Sequence, residues 1–153
     1  MNTTSKLSQY LEKIESAIPK FEEKKLSVSN STVGWQIDHT LKAINKVLGG
    51  LKNAPKDKKA KPTLLGRFCL LFRYIPRGKG KAPKEALPPE NITENSLLDQ
   101  LSSANEVIQQ IPNIPIEVTF KHLYFGILTK KQTIKFLEVH TKHHLKIIDD
   151  ILK

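Results

Sequence analysis

The stretch that decides the fold is TKKQTIKFLEVHTKHHLKIIDDILK, residues 129–153. Thr129 and Gln132 have the spacing of a capping box, which starts a helix that runs to the end of the sequence. Phe136, Leu137, His140, His144, Ile147, Ile148 and Ile151 fall on one side of it. His140 and His144 therefore interrupt an apolar stripe. Two imidazoles buried without partners would cost a few kcal/mol, roughly. Hydrogen bonds or a shared metal ion remove that cost. Residues four apart on a helix have β-carbons about 5–6 Å apart, the spacing with which one helix offers two imidazoles to one ion. His143 lies at the margin of this face, and is expected to point outward or to support the site.

A third ligand must come from another helix. Ser31 or Thr32 caps a second helix, from Val33 to Leu51, whose main stripe is Ile37, Leu41, Ile44, Leu48 and Leu51. Trp35, His39 and Ala43 form an adjoining stripe, so His39 stands at the edge of the apolar arc. A lone histidine there is more often a boundary residue with a hydrogen bond than a ligand. At about 1.5 Å per residue His39 is about 12 Å from Ser31, and His144 about 13.5 Å from the C-terminus. The levels agree to about one turn if these two helices run antiparallel. That requires a long crossover between the second and third helices, which residues 52–92 are long enough to provide.

The remaining helices follow from the same periodicity. Thr3 or Thr4 caps a first helix carrying Leu7, Leu11, Ile14, Ile18 and Phe21, kinked or ended near Pro19. A third helix spans about Glu94 to Ile111 and stops at Pro112. The crossover holds a short amphipathic helix, about Thr63 to Ile75, expected to turn Leu64, Leu65, Phe68, Leu71 and Phe72 inward. Pro76 to Pro89 has no period and is expected to be a surface loop. Residues 112–128 are an apolar and aromatic connection expected to cover the core's end. No pair of segments reads convincingly as strands. The expected class is a single all-α domain over residues 1–153.

Composition narrows the function. Apolar residues are 39% and charged residues 26%, as in globular proteins. Residues 52–84 carry 11 Lys and Arg against Asp57 alone, so this segment holds the whole net charge of +10. Such a segment attracts phosphates, nucleic acid or anionic lipid, although a solvated loop is the commoner meaning. Arg77-Gly78-Lys79-Gly80-Lys81 lacks the spacing of a nucleotide phosphate loop. With no histidine in it, the basic crossover is expected to lie outside the metal site. The single cysteine, Cys69, sits in an apolar run where a buried, inert thiol is expected, and it fits a reducing cytoplasm. The first 30 residues have no apolar signal core.

Three motifs carry a resemblance. They are Gly34-Trp35-Gln36-Ile37-Asp38-His39 with Leu41, His122-Leu123-Tyr124-Phe125-Gly126-Ile127-Leu128-Thr129, and His140-Thr141-Lys142-His143-His144-Leu145. In this order the chain resembles the DinB-like four-helix-bundle family, in an uncharacterised branch. The resemblance implies a four-helix bundle with a long crossover between helices two and three. It also implies a divalent metal on three histidines, by position His39, His140 and His144. His122 matches the branch pattern without an assigned role. Some relatives of this kind are thiol-dependent transferases or isomerases.

The leading expectation is a metal-dependent enzyme of hydrolase or thiol-dependent transferase type, with Zn, Ni or Fe as the ion and an unknown small molecule as substrate. Asp38 and Glu138 are near the histidines in sequence, but neither is assignable as a general base. Metal affinity is expected to fall as pH drops through about 6.5, where free imidazole protonates. The alternative is a non-catalytic protein whose basic crossover binds an anionic partner, nucleic acid or a membrane surface among them. A homodimer is compatible with either.

Overall fold

Threonine side chains start most of the helices. The computed structural model describes residues 3–56, 59–78, 80–82, 84 and 87–153, with backbone alone for residues 3–5. Asp57 and Lys79 of the basic segment lie outside the described residues, as do the side chains of Thr3 and Thr4. In chain order the elements are α1 (Thr3–Ala17), α2 (Val33–Leu51), β1 (Lys61–Pro62), α3 (Leu64–Phe72), α4 (Glu94–Gln109), β2 (Thr119–His122), β3 (Gly126–Thr129) and α5 (Lys130–Leu152). Short 3-10 turns follow α1 and α4 at Ile18–Lys20 and Ile111–Asn113, each with a proline that removes the next donor. Thr32, Thr63, Thr93 and Thr129 each accept a backbone N–H three residues on, and so cap α2, α3, α4 and α5. Thr93 with Ser96 and Thr129 with Gln132 are full capping boxes.

The core lies between α1, α2, α4 and α5. Leu7, Leu11 and Ile14 from α1 are buried with Ile37, Leu41 and Ile44 from α2. Leu97, Leu101 and Ile108 from α4 and Leu137 and Ile148 from α5 complete it. Gln36 bonds to His144, and His39 contacts His140. Ascending α2 therefore means descending α5, and the two helices are antiparallel at the level of the histidines.

The expectation of an all-α protein, a DinB-like four-helix bundle, is overturned. The described residues include a three-stranded antiparallel sheet in the order β1-β3-β2. Thr119 pairs with Thr129 and His122 with Gly126, while Pro62 pairs with the other edge of Gly126. The connection 112–128 and the crossover thus meet in one sheet. The reason it escaped periodicity is length. Strands of four residues and a two-residue edge give too little alternation to distinguish from loop, and β1 comes from far away in sequence. Gly126 permits the meeting: its φ is +80°, and a β-carbon there would collide with the Lys61 carbonyl.

The orientation of α3 is also corrected. Leu64, Leu65, Phe68, Leu71 and Phe72 are exposed, and the buried side is Gly66, Cys69 and Leu70. Gly66 decides this. A β-carbon on it would stand 2.7 Å from the Phe125 carbonyl oxygen, so only glycine lets the helix seat against the β2–β3 turn. Thr63 fastens the same end, its N–H on the Phe125 carbonyl at 2.9 Å and its hydroxyl on the Tyr124 carbonyl at 2.7 Å. Gly66→Ala is expected to destabilise the protein. Overpacking costs about 1–3 kcal/mol, against a helix-propensity gain of about 1 kcal/mol. The urea midpoint should fall; a midpoint that rises would refute this seating.

Candidate metal centre

α2 and α5 build the centre between them. His39 and His144 are buried and His140 is half-buried. The Nε2 atoms of His39 and His140 are 3.2 Å apart, as are those of His144 and His140. One ligand atom from each of the three residues lies within 4.8 Å of the others. The triad is therefore close enough to hold a metal ion. Imidazole nitrogens at about 2.0–2.1 Å from a tetrahedral ion stand about 3.3–3.4 Å apart. The two separations from His140 Nε2, 3.2 Å each, are close to that value.

The protonation pattern also fits a cation. Gln36 Oε1 is 2.6 Å from His144 Nδ1. An amide oxygen only accepts, so Nδ1 carries the hydrogen and donates it. In the neutral ring Nε2 then has a lone pair, on the side of His140 Nε2. His140 Nε2 has either one lone pair or one hydrogen in the ring plane, so at most one of its two contacts is a well-aligned hydrogen bond. Its Nδ1 is buried without a hydrogen-bond partner. Three such nitrogens packed together satisfy one another poorly as hydrogen-bonding groups and well as ligands. Burial holds the pKa of His140 well below the usual imidazole value, with the charge of His39 adding to it. Burial does the same for His144, helped by His140 and His39. The His140 and His144 rings are thus held neutral, the form that binds metal.

Supporting contacts orient the three imidazoles. Trp35 stacks on His39 with ring centroids 5.2 Å apart and planes 18° from parallel. Gln36 stands three residues before His39 on the same helix and holds His144 across the interface. Sequence reading passed over it, although a polar residue one turn before a candidate ligand is a signal it could have used. Partners of this kind are worth roughly 10–100-fold in metal affinity. Gln36→Leu is accordingly expected to weaken metal binding by about that factor while keeping three ligands in place. A competition assay with a chromogenic chelator reads the change, and unaltered affinity would remove Gln36 from the centre.

The triad forms one wall of a cavity of about 430 Å³, within the range of small-molecule sites. Its lining is mostly apolar and aromatic, with Trp35, Phe125 and Phe136 near the histidines. The crossover contributes Leu65, Cys69, Ile75 and Pro76, and also Gly78, Gly80 and Lys81. The basic crossover supplies no ligand atom, yet it walls the site from which it was expected to stand apart. Tyr124 pins it there, its hydroxyl donating to the Lys81 carbonyl at 3.1 Å.

The other sequence candidates separate clearly. His122 Nδ1 accepts the backbone N–H groups of Tyr124 and Phe125 at 3.1 and 3.0 Å, which shapes the β2–β3 turn. That ring also lines the cavity, but it is outside the triad. Burial lowers its pKa to about 4. His143 is half-buried and lines the cavity, its ring centroid 5.0 Å from that of His144. Asp38 pairs with Lys42 at 2.8 Å and accepts from Gln100 at 2.7 Å, joining α2 to α4. Glu138 pairs with Arg73 at 3.2 Å. Neither carboxylate lines the cavity. Cys69 is a buried free thiol whose pKa is raised by burial.

Comparison with profiles of known families, with curated proteins and with solved structures finds no match, so the likeness to the DinB-like family gains no support from them. Among the described residues no helix is long and apolar enough to cross a membrane.

Proposed function

We propose that this protein is a metal-dependent enzyme of hydrolase or thiol-dependent transferase type, with His39, His140 and His144 holding a divalent ion such as Zn, Ni or Fe. The observation that carries the reading is the convergence of three Nε2 atoms on the wall of an apolar cavity. A divalent ion on three imidazoles supplies Lewis-acid activation of an oxygen or sulfur group on the reactant. The chain's own residues do the rest. Gln36 fixes the His144 tautomer. Phe125, Phe136 and Trp35 exclude water and match the apolar body of a small molecule. His143, half-buried on the cavity wall, is the nearest other imidazole placed to accept or return a proton. A reducing cytoplasm fits the free thiol of Cys69.

The test is metal content set against heparin retention. Purified protein is expected to carry about one ion per chain and to regain it after chelation and dialysis. A chain that takes up no ion yet binds heparin in a salt-sensitive way would favour the non-catalytic alternative. Catalysis is tested separately, on panels of esters, amides and thiol acceptors. Turnover should vanish on chelation and return with metal.

A further inference from the structure

α3 carries an unpartnered apolar face. Leu64, Leu71 and Phe72 are 84%, 72% and 62% exposed, with Leu65 and Phe68 beside them. At about 100° per residue the five cover an arc of about 120°. Single exposed apolar residues are ordinary on a protein surface; a contiguous set on one helix is not. The helix is also held in this orientation. Gly66 and the Thr63 hydrogen bonds fix its buried side, and the left-handed Arg73 ends it with an N–H on the Cys69 carbonyl. It cannot roll to hide the face without breaking these contacts.

The charge around the face indicates its partner. The segment 52–84 that contains α3 holds the entire net charge of +10. Lys59, Lys61, Arg67 and Lys81 are exposed, and none of them forms an ion pair among the described residues. An apolar helix face with exposed lysine and arginine on it and on its sequence flanks fits a helix that lies in the plane of a bilayer surface. We propose that α3 docks this protein on an anionic phospholipid surface, with the apolar arc at the acyl boundary and the cations on the headgroups. A second copy of the chain fits worse, because a two-fold contact here would set one strongly basic segment against another. Nucleic acid would neutralise the cations but give Leu64 and Leu71 nothing apolar to pack against. Leu65 belongs both to this surface and to the lining of the cavity, so docking sets the cavity beside the lipid. The proposal does not rest on metal binding.

The experiment is sedimentation of the full chain with vesicles of phosphatidylcholine alone, or of equal parts phosphatidylcholine and phosphatidylglycerol. Binding to the anionic vesicles is expected to exceed binding to the neutral ones by about tenfold or more, and to weaken with salt. Leu71→Gln with Phe72→Gln should reduce it by about tenfold while leaving heparin retention unchanged, since no charge is altered. Both residues are exposed and outside the cavity lining, so the melting temperature and circular dichroism should stay as in the parent. Metal-stripped protein should bind equally, so a failure of the metal reading leaves this result intact. Three outcomes overturn the proposal. One is vesicle binding that survives the double substitution. Another is duplex DNA displacing the vesicles with the apolar face irrelevant. The third is a dimer that the substitution dissociates, without vesicle binding.

Discussion

Alanine in place of His39, His140 or His144 is expected to empty the centre, each alone lowering metal affinity by at least about a hundredfold, more than loss of a supporting partner does. The reason is ligand count. Two imidazoles are too few for a tight protein site, whereas one ligand atom from each of the three histidines lies within 4.8 Å of the others, close enough for one ion. His143→Ala should keep the metal. Its side chain leaves the helix about 100° from that of His144, and it is not among the three converging residues. The measurement is metal per chain by elemental analysis on the four variants, each first shown to be folded. An empty His143→Ala with a loaded His144→Ala would refute the register. Retention of metal in His39→Ala would move the third ligand elsewhere. His122 is then a poor substitute, because its Nδ1 is already committed to the β2–β3 turn.

The second large effect is on the metal-free protein in acid. Unfolded histidine titrates near 6.5, whereas burial holds His140 and His144 well below that and His122 at about 4. Between those limits the unfolded chain binds protons that the folded chain does not. Stability therefore falls as pH drops from about 6.5 toward 4, and these groups contribute no further slope above 6.5. The apo melting temperature should be level near neutrality and decline steeply below pH about 6. The expectation of metal release at pH about 6.5 moves lower for the same reason, since protons compete with the ion at the folded pKa. Holo protein should accordingly melt higher than apo across this range, by an amount that grows with free metal. Apo stability that stays flat to pH 4.5 would show that the imidazoles are less buried than they stand here.

What could be read from the sequence was what short-range order determines. α2, α4 and α5 follow from periodicity, and the Thr129–Gln132 box marks the start of α5, because both signals repeat within a few residues. The pair His140 and His144 was legible for the same reason: four residues on a helix is a distance. His39 was reachable because helical rise converts sequence position into height, which let two antiparallel helices be compared. The sheet was not legible. Its strands are too short to show a period, and Lys61–Pro62 finds β3 only through a tertiary contact that Gly126 makes possible. The direction of α3 was misread because its composition is apolar nearly all round, so periodicity alone could not choose the inner side. Gly66 against Phe125 chose it, and that contact joins residues far apart in the chain. The cavity wall belongs to the same category. The residue types of the crossover describe a solvated basic loop, and only folding brings Cys69, Ile75 and Lys81 over the histidines. Local signals thus determined which side chains share a helix face; packing between distant segments decided which faces meet and which stay in water.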